Sequence, residues 1–104
     1  MALYRVIMTE PAVNDLDEIA EYIISQFSAP MTAINLIESI ESAVMSLSYM
    51  PHRCPLVDDE QLKAMGYRKL NIKNYIAFFV IDEDNKTVVI ERILFARRDW
   101  LHIL

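Results

Sequence analysis

The feature that most constrains this chain is a change of apolar period at its only glycine, Gly66. Before Gly66 the long apolar patterns repeat every three to four residues, which lays a stripe along one side of a helix. After it they alternate or run on continuously, as strands do. Helix-forming and strand-forming stretches are thus segregated along the chain, which argues for an α+β fold.

A short opening stretch, residues 3–8, is rich in side chains suited to a pleated surface, with Tyr4, Val6 and Met8 on one side, and predicts a first strand. Thr9 is placed to cap the helix that follows. Pro11 sits in its first turn, where a missing N–H costs little, and Glu10, Asp15, Asp17 and Glu18 suit the positive end of the helix dipole. The spacing predicts a helix over residues 10–27 with Val13, Leu16, Ile19/Ala20, Ile23 and Phe27 toward a core, and with Asp15, Glu18 and Glu21 turned largely outward. Ser28-Ala29-Pro30 breaks the pattern. Ser28 is a candidate cap for a second helix carrying Ala33, Leu36/Ile37, Ile40, Ala43/Val44 and Leu47. So short a link makes the two an antiparallel hairpin.

Pro51 and Pro55 then forbid regular pairing, and Asp58-Asp59-Glu60 opens a helical turn or two closed by Gly66. Residues 67–72 alternate, residues 75–82 are continuously apolar as in a central strand, and residues 87–97 are long and β-branched. Lys73-Asn74 and residues 82–86 supply the turns, with Asn74 and Asn85 tolerant of left-handed geometry. The expected architecture is β-α-α-β-β-β: a twisted antiparallel sheet with the helical hairpin packed on one face. The last residues, 98–104, are apolar enough to dock as a turn or short helix.

A chain of 104 residues, 54% hydrophobic, fits one domain over residues 1–104, since two cores would leave each half too little apolar surface to bury. The longest wholly apolar run covers residues 75–81, against the roughly 20 that a membrane-spanning helix requires, and the N-terminus carries no long apolar stretch ending in a cleavage site. A cytoplasmic protein without a membrane partner is therefore expected. The single cysteine, Cys54, agrees with a reducing compartment. Net charge is −5 but uneven, at −6 over residues 1–52 and +1 beyond. Any nucleic-acid surface is thus expected from the C-terminal half.

One glycine cannot supply a phosphate-cradling loop, so no nucleotide cofactor is expected. His52, Cys54 and His102 lack metal-ligand spacing, and neither histidine sits beside a nucleophile in a motif with an oxyanion-forming turn. The chemistry left lies in the basic side chains. Guanidinium groups stay charged and grip phosphate or carboxylate bidentately, which makes Arg68, Arg92, Arg97 and Arg98 the candidates. By strict alternation Arg92 shares a face with Ile90 and Leu94, and Arg97 shares one with Glu91, Ile93 and Phe95. The four arginines cannot share a face without a bulge.

Residues 66–79, reading Gly-Tyr-Arg-Lys-Leu-Asn-Ile-Lys-Asn-Tyr-Ile-Ala-Phe-Phe, an acidic turn, and residues 88–100, reading Val-Val-Ile-Glu-Arg-Ile-Leu-Phe-Ala-Arg-Arg-Asp-Trp, together resemble the C-terminal half of the RelE/ParE toxins of type II toxin–antitoxin systems. Tyr4-Arg5-Val6, Pro11-Ala12 and Asp15-Leu16-Asp17-Glu18-Ile19 match that family's first strand and helix. The resemblance implies two helices against a twisted antiparallel sheet, and a cognate antitoxin whose extended segment folds onto the toxin. In the ribosome-dependent ribonuclease branch, an arginine follows the tyrosine of the central strand. Here Ile76 follows Tyr75, and no catalytic tyrosine or histidine/tyrosine pair has a clear counterpart near residues 101–104, although Lys69 and Arg98 occupy basic catalytic positions.

The chain is more similar to the ParE branch, in Arg68, Leu70, Tyr75, Arg92 and Arg97-Arg98-Asp99, with Phe95 where ParE toxins often carry histidine. That branch implies an inhibitor associated with plasmid stabilisation, which holds DNA gyrase on cleaved DNA and catalyses nothing. Its target contacts would be Arg68, Arg92, Arg97, Arg98 and Trp100. The alternatives are an mRNA endonuclease acting in the ribosome through Lys69, Arg68 and Arg98, and an inert remnant serving as an interaction module.

Overall fold

The computed structural model of the chain describes residues 3–104, so the expected unit of residues 1–104 begins with two residues outside them. Strand β1 (Arg5–Met8) leads through Thr9 into helix α1 (Glu10–Phe27). The Thr9 hydroxyl accepts the Ala12 N–H, and Pro11 lies in the first turn, as the sequence predicts. Ser28 does not cap the second helix. It closes α1 in a left-handed conformation, its N–H donating to the Ile24 carbonyl, and α2 (Pro30–Met45) starts without a side-chain cap. A helix whose first turn holds Pro30 has one orphan donor fewer to satisfy.

Single 3-10 turns at Ser46–Ser48 and Pro51–Arg53 precede a five-residue helix, α3 (Glu60–Ala64), capped by Asp59 and followed by Gly66 at a φ of 84°. Then come β2 (Arg68–Ile72), β3 (Tyr75–Asp82), β4 (Thr87–Phe95) and a closing 3-10 turn, Trp100–His102. The hairpin turns are left-handed at Lys73 and Lys86, not at Asn74 and Asn85. Asn85 is occupied instead, its amide groups donating to the Asp82 carboxylate.

The α+β class and element order match the expectation, but the sheet is mixed. Its order is β1-β4-β3-β2, with β2–β3 and β3–β4 antiparallel and β1 parallel to β4. The helical hairpin carries the chain from β1 across to the far edge, and the two later hairpins step back until β4 meets β1. Strand β3 is therefore interior, which accounts for its unbroken apolar run: Ile76, Ala77, Phe78 and Phe79 are all buried, on alternating faces.

The main cluster joins α1 and α2 to one sheet face through Ala12, Leu16, Ile19, Ile40, Val44, Phe79, Ile90 and Ile93. A second cluster covers part of the other face with Val57 and Leu62 from the connection, over Ile76, Phe78 and Leu94, with Trp100, Ile103 and Leu104 folded against it. The tail is docked, as expected. Val13 and Phe27, expected in the core stripe, are exposed at 44% and 64%.

Asp15 departs furthest from expectation. It is 5% exposed, and its carboxylate accepts three hydrogen bonds: from Arg92 Nε and Nη2, each at 2.8 Å, and from the Ile93 N–H at 2.9 Å. Strand β1 pairs with β4 only as far as Ile90, so the rest of β4 has no strand on that side. Asp15 supplies an acceptor there, and the Thr9 hydroxyl donates to the Glu91 carbonyl at 2.9 Å. The β4 register slips at this point, with Phe78 opposite Arg92 and Phe79 opposite Ile90, so Glu91 is bulged out.

At the other end of the sheet Glu83 gathers the Tyr4 hydroxyl at 3.0 Å, Lys86 Nζ at 3.3 Å and the His52 ring, tying the β3–β4 turn to β1 and to the Pro51–Arg53 turn. These contacts, the Tyr4 hydroxyl foremost, hold the Glu83 carboxyl below its ordinary pKa.

Two outcomes are expected. Asp15→Ala leaves the Arg92 guanidinium and the Ile93 N–H without their acceptor. It lowers stability by about 3 kcal/mol, read from the urea midpoint, whereas Asp15→Leu combined with Arg92→Met recovers much of that loss. A glutamate whose folded pKa lies below its unfolded one adds stability above the ordinary range and loses it as pH falls through the lowered value. Thermal midpoints should therefore drop less between about pH 5 and pH 3 in Glu83→Gln than in the parent.

Candidate functional site

Because the β1–β4 pairing ends at Met8 opposite Ile90, α1 runs alongside the open half of β4 and encloses a groove against it. Asp15, Glu18, Ile19 and Tyr22 recur at helical spacing, so they share the wall of α1 that faces the sheet. Tyr75, Ile93 and Phe95 form the opposite side, Arg98 closes the end, and the cavity measures about 400 Å³. Tyr75 and Phe95 are cross-strand partners with ring centroids 5.7 Å apart at 63°, and Tyr22 meets Phe27 edge-on at 6.3 Å. Burial first, and then the neighbouring Tyr22, push the Tyr75 phenol up. The groove is thus an aromatic cleft with Glu18 at one rim and Arg98 at another.

The structure places the expected basic residues very differently from one another. Arg97 and Arg98 are exposed just past β4, and neither side chain has an ion-pair or hydrogen-bond partner among the described residues. The Ala96 N–H donates to the Asn74 carbonyl at 2.8 Å, which brings the β2–β3 turn, and with it Lys73, to the same end of the sheet.

Arg92 is engaged by Asp15, which also raises its pKa further. Arg68 donates through Nη1 to the carbonyls of Cys54 at 2.7 Å and His52 at 3.4 Å, so it holds the connection onto the edge of the sheet. Burial pushes the Cys54 thiol up despite Arg53 and Arg68 nearby. Trp100 packs on Phe78, centroids 4.9 Å apart, inside the second cluster. Lys69 lies opposite Phe78 in the β2–β3 register and so points to that second face.

The five residues expected to touch a target therefore divide. Arg97 and Arg98 are exposed with unoccupied guanidinium groups, Arg98 at the end of the groove, whereas Arg68, Arg92 and Trp100 brace the fold. The ribonuclease set does not converge: Lys69 faces one side of the sheet, Arg68 sits at the β2 edge, and Arg98 lies in the groove on the helical side. Sequence reasoning missed Asp15 and Tyr22 as members of this region. The available signal was an aspartate inside the apolar stripe, next to Leu16 and three residues from Ala12, with Tyr22 one turn beyond Glu18 and Ile19.

A family model for the ParE toxin of the type II toxin–antitoxin system parDE matches residues 6–100. No curated protein matches the sequence significantly. Among solved structures the chain is similar to one of the chromosomal ParDE toxin–antitoxin system from P. aeruginosa, at TM-score 0.77 and 20% identity over 93% of this chain and 100% of that one. It is also similar to a chain of the RelBE2 toxin–antitoxin complex from Mycobacterium tuberculosis, at TM-score 0.66 and 22% identity over 89% and 98%. A chain of the archaeal RelE–RelB complex from Pyrococcus horikoshii OT3 matches at TM-score 0.56 and 13% identity over 94% and 99%. At these identities the structural likeness is one of fold.

Proposed function

The chain belongs to the ParE toxin family of type II toxin–antitoxin systems, and on that premise we propose that it arrests growth by holding DNA gyrase on cleaved DNA, catalyses nothing itself, and is neutralised by a cognate antitoxin in the cytoplasm. The observation that carries the choice of target is the surroundings of Ile76. This is the position at which the resemblance puts an arginine in the ribonuclease branch. Here it is 7% exposed and enclosed by Val57, Leu62, Phe78 and Leu94. A cation that stabilises developing phosphoryl charge must reach the substrate, and its loss removes orders of magnitude in rate. This site holds an apolar side chain under a covering helix. The dispersal of Lys69, Arg68 and Arg98 supports the same reading.

The target surface in this reading is the basic end of the sheet, Arg97 and Arg98 with Lys73 beside them. An antitoxin partner is supported by the three structural neighbours, all from toxin–antitoxin complexes. It is supported too by exposed apolar side chains on the helical hairpin, namely Tyr22, Ile24, Phe27, Met31 and Ile34. No helix among the described residues is long and apolar enough to cross a membrane.

Induction of the chain in bacteria is expected to arrest growth with accumulation of gyrase–DNA cleavage complexes and a DNA-damage response, and without new transcript 5′ ends. Cuts mapped within codons, with gyrase unaffected, would instead assign it to the ribonuclease branch. Arg97→Ala with Arg98→Ala is expected to abolish the arrest while leaving the thermal midpoint within a few degrees of the parent. Ile76→Arg buries an unpaired cation, so it should cost at least about 3 kcal/mol and create no transcript cleavage.

A further inference from the structure

We infer that the groove between α1 and β4 recognises the antitoxin through side chains and not by strand addition, taking one bulky apolar residue flanked by a basic residue toward Glu18 and an acidic residue toward Arg98. This rests on the antitoxin reading above and adds the chemistry of the segment that binds.

An open strand edge ordinarily invites a partner strand, because its unpaired N–H and C=O groups are a template. The open half of β4 is such a template only in part, because several of its outward groups are already taken. The Ile90 carbonyl accepts the Thr9 N–H at 3.0 Å, the Glu91 carbonyl accepts the Thr9 hydroxyl, and the Ile93 N–H donates to Asp15. A strand pairing with the Ile93 N–H would have to displace a buried carboxylate that Arg92 also holds in place.

What the groove does offer is space and aromatic surface. Its cavity of about 400 Å³ is more than ten times the ~30 Å³ share of a liquid water molecule. Tyr22, Tyr75 and Phe95 wall it, and Tyr22 is 56% and Phe95 39% exposed. From Tyr22 the apolar surface continues through its ring contact with Phe27 toward the hairpin end.

The charges at the rim fix the order of the partner's residues. Asp15 takes the direct ion pair with Arg92, Glu18 feels the Arg92 charge without touching it and keeps its carboxylate open to the groove, and Arg98 is the groove's unpaired cation. Asp17 and Glu21 reinforce the acidic side along the exposed surface of α1. Phosphates laid along that wall would be repelled, and a second copy would bring the same acidic helix, so a peptide with both signs fits best. Because Arg98 also belongs to the basic end of the sheet, antitoxin and target compete for it directly.

The test uses the full chain and, as probe, a synthetic extended peptide with one tryptophan flanked by a lysine on one side and an aspartate on the other, with dissociation constants from titration calorimetry. Tyr22→Ala, Glu18→Lys and Arg98→Glu are each expected to weaken binding by about 30-fold or more, while Met45→Ala, on the outer side of α2, leaves it unchanged. Hydrogen exchange on the parent complex guards against misfolded variants: new protection is expected at residues 18–22 and 95–98. If the parent binds the probe, but the three variants bind equally well or the new protection falls on β2 alone, the groove assignment is wrong and the antitoxin reading stands. If the parent does not bind the probe, and instead takes up a single-stranded oligonucleotide or self-associates, both readings fall.

Discussion

The structure depends on one buried carboxylate. Strand β1 is four residues long, and Thr9 and Pro11 turn the chain into a helix before it can pair with the rest of β4. Backbone groups left there, at the middle of the molecule, need partners, since a buried unpaired amide or carbonyl costs as much as a lost hydrogen bond. Asp15 and Thr9 provide them from the helix that replaces the strand. The same carboxylate neutralises Arg92 in bidentate geometry, which offsets the cost of taking both charges out of water. One side chain thereby fixes how α1 lies along β4, and with it the walls of the groove.

That constraint also sorts the basic residues by what they are free to do. An arginine whose donors are used inside the fold is not available to a ligand, whatever its charge. Arg92 is held by Asp15 and Arg68 by two carbonyls of the connection, so the fold itself depends on them. Arg97 and Arg98 stand beyond the last ladder pair, Tyr75 opposite Phe95, where the sheet no longer claims its side chains. The second sheet face is closed over Ile76 and Phe78 by α3 and the docked tail.

Much of the fold was legible because its determinants are local. Thr9 and Pro11 mark the start of α1, Gly66 marks the end of the connection, and the apolar run of β3 announces an interior strand. The rest depends on partners far away in sequence. Asp15 reads as an outward residue by periodicity, and only Arg92, 77 residues on, makes it an inward one. Strict alternation assigns the arginines to faces, but the bulge at Glu91 breaks the alternation between Ile90 and Arg92. No local pattern distinguishes a parallel β1–β4 pair from an antiparallel one, because the pairing is decided by the route of the chain through the helices. Lys73 and Lys86 took the left-handed positions expected of Asn74 and Asn85, and at the second turn Asn85 is held by the Asp82 carboxylate instead.

The charge asymmetry of the chain acquires its meaning only on folding. In the sequence it separates two halves, −6 over residues 1–52 and +1 thereafter. In three dimensions α1 lies against β4, so the acidic half and the basic end of the other half become opposite rims of one cleft, with aromatic rings between them. Net charge alone would argue against binding any polyanion, yet Arg97 and Arg98 are exposed past β4, and the Asn74 carbonyl bonded to Ala96 brings the β2–β3 turn to the same end of the sheet. A partner that matches the apolar cleft but presents its charges in the reverse order would meet like charge at both rims, and such mismatches discriminate between otherwise similar segments. For the peptide proposed above, the asymmetry would act as a specificity device as much as a property of composition, separating apolar segments that contact area alone would not.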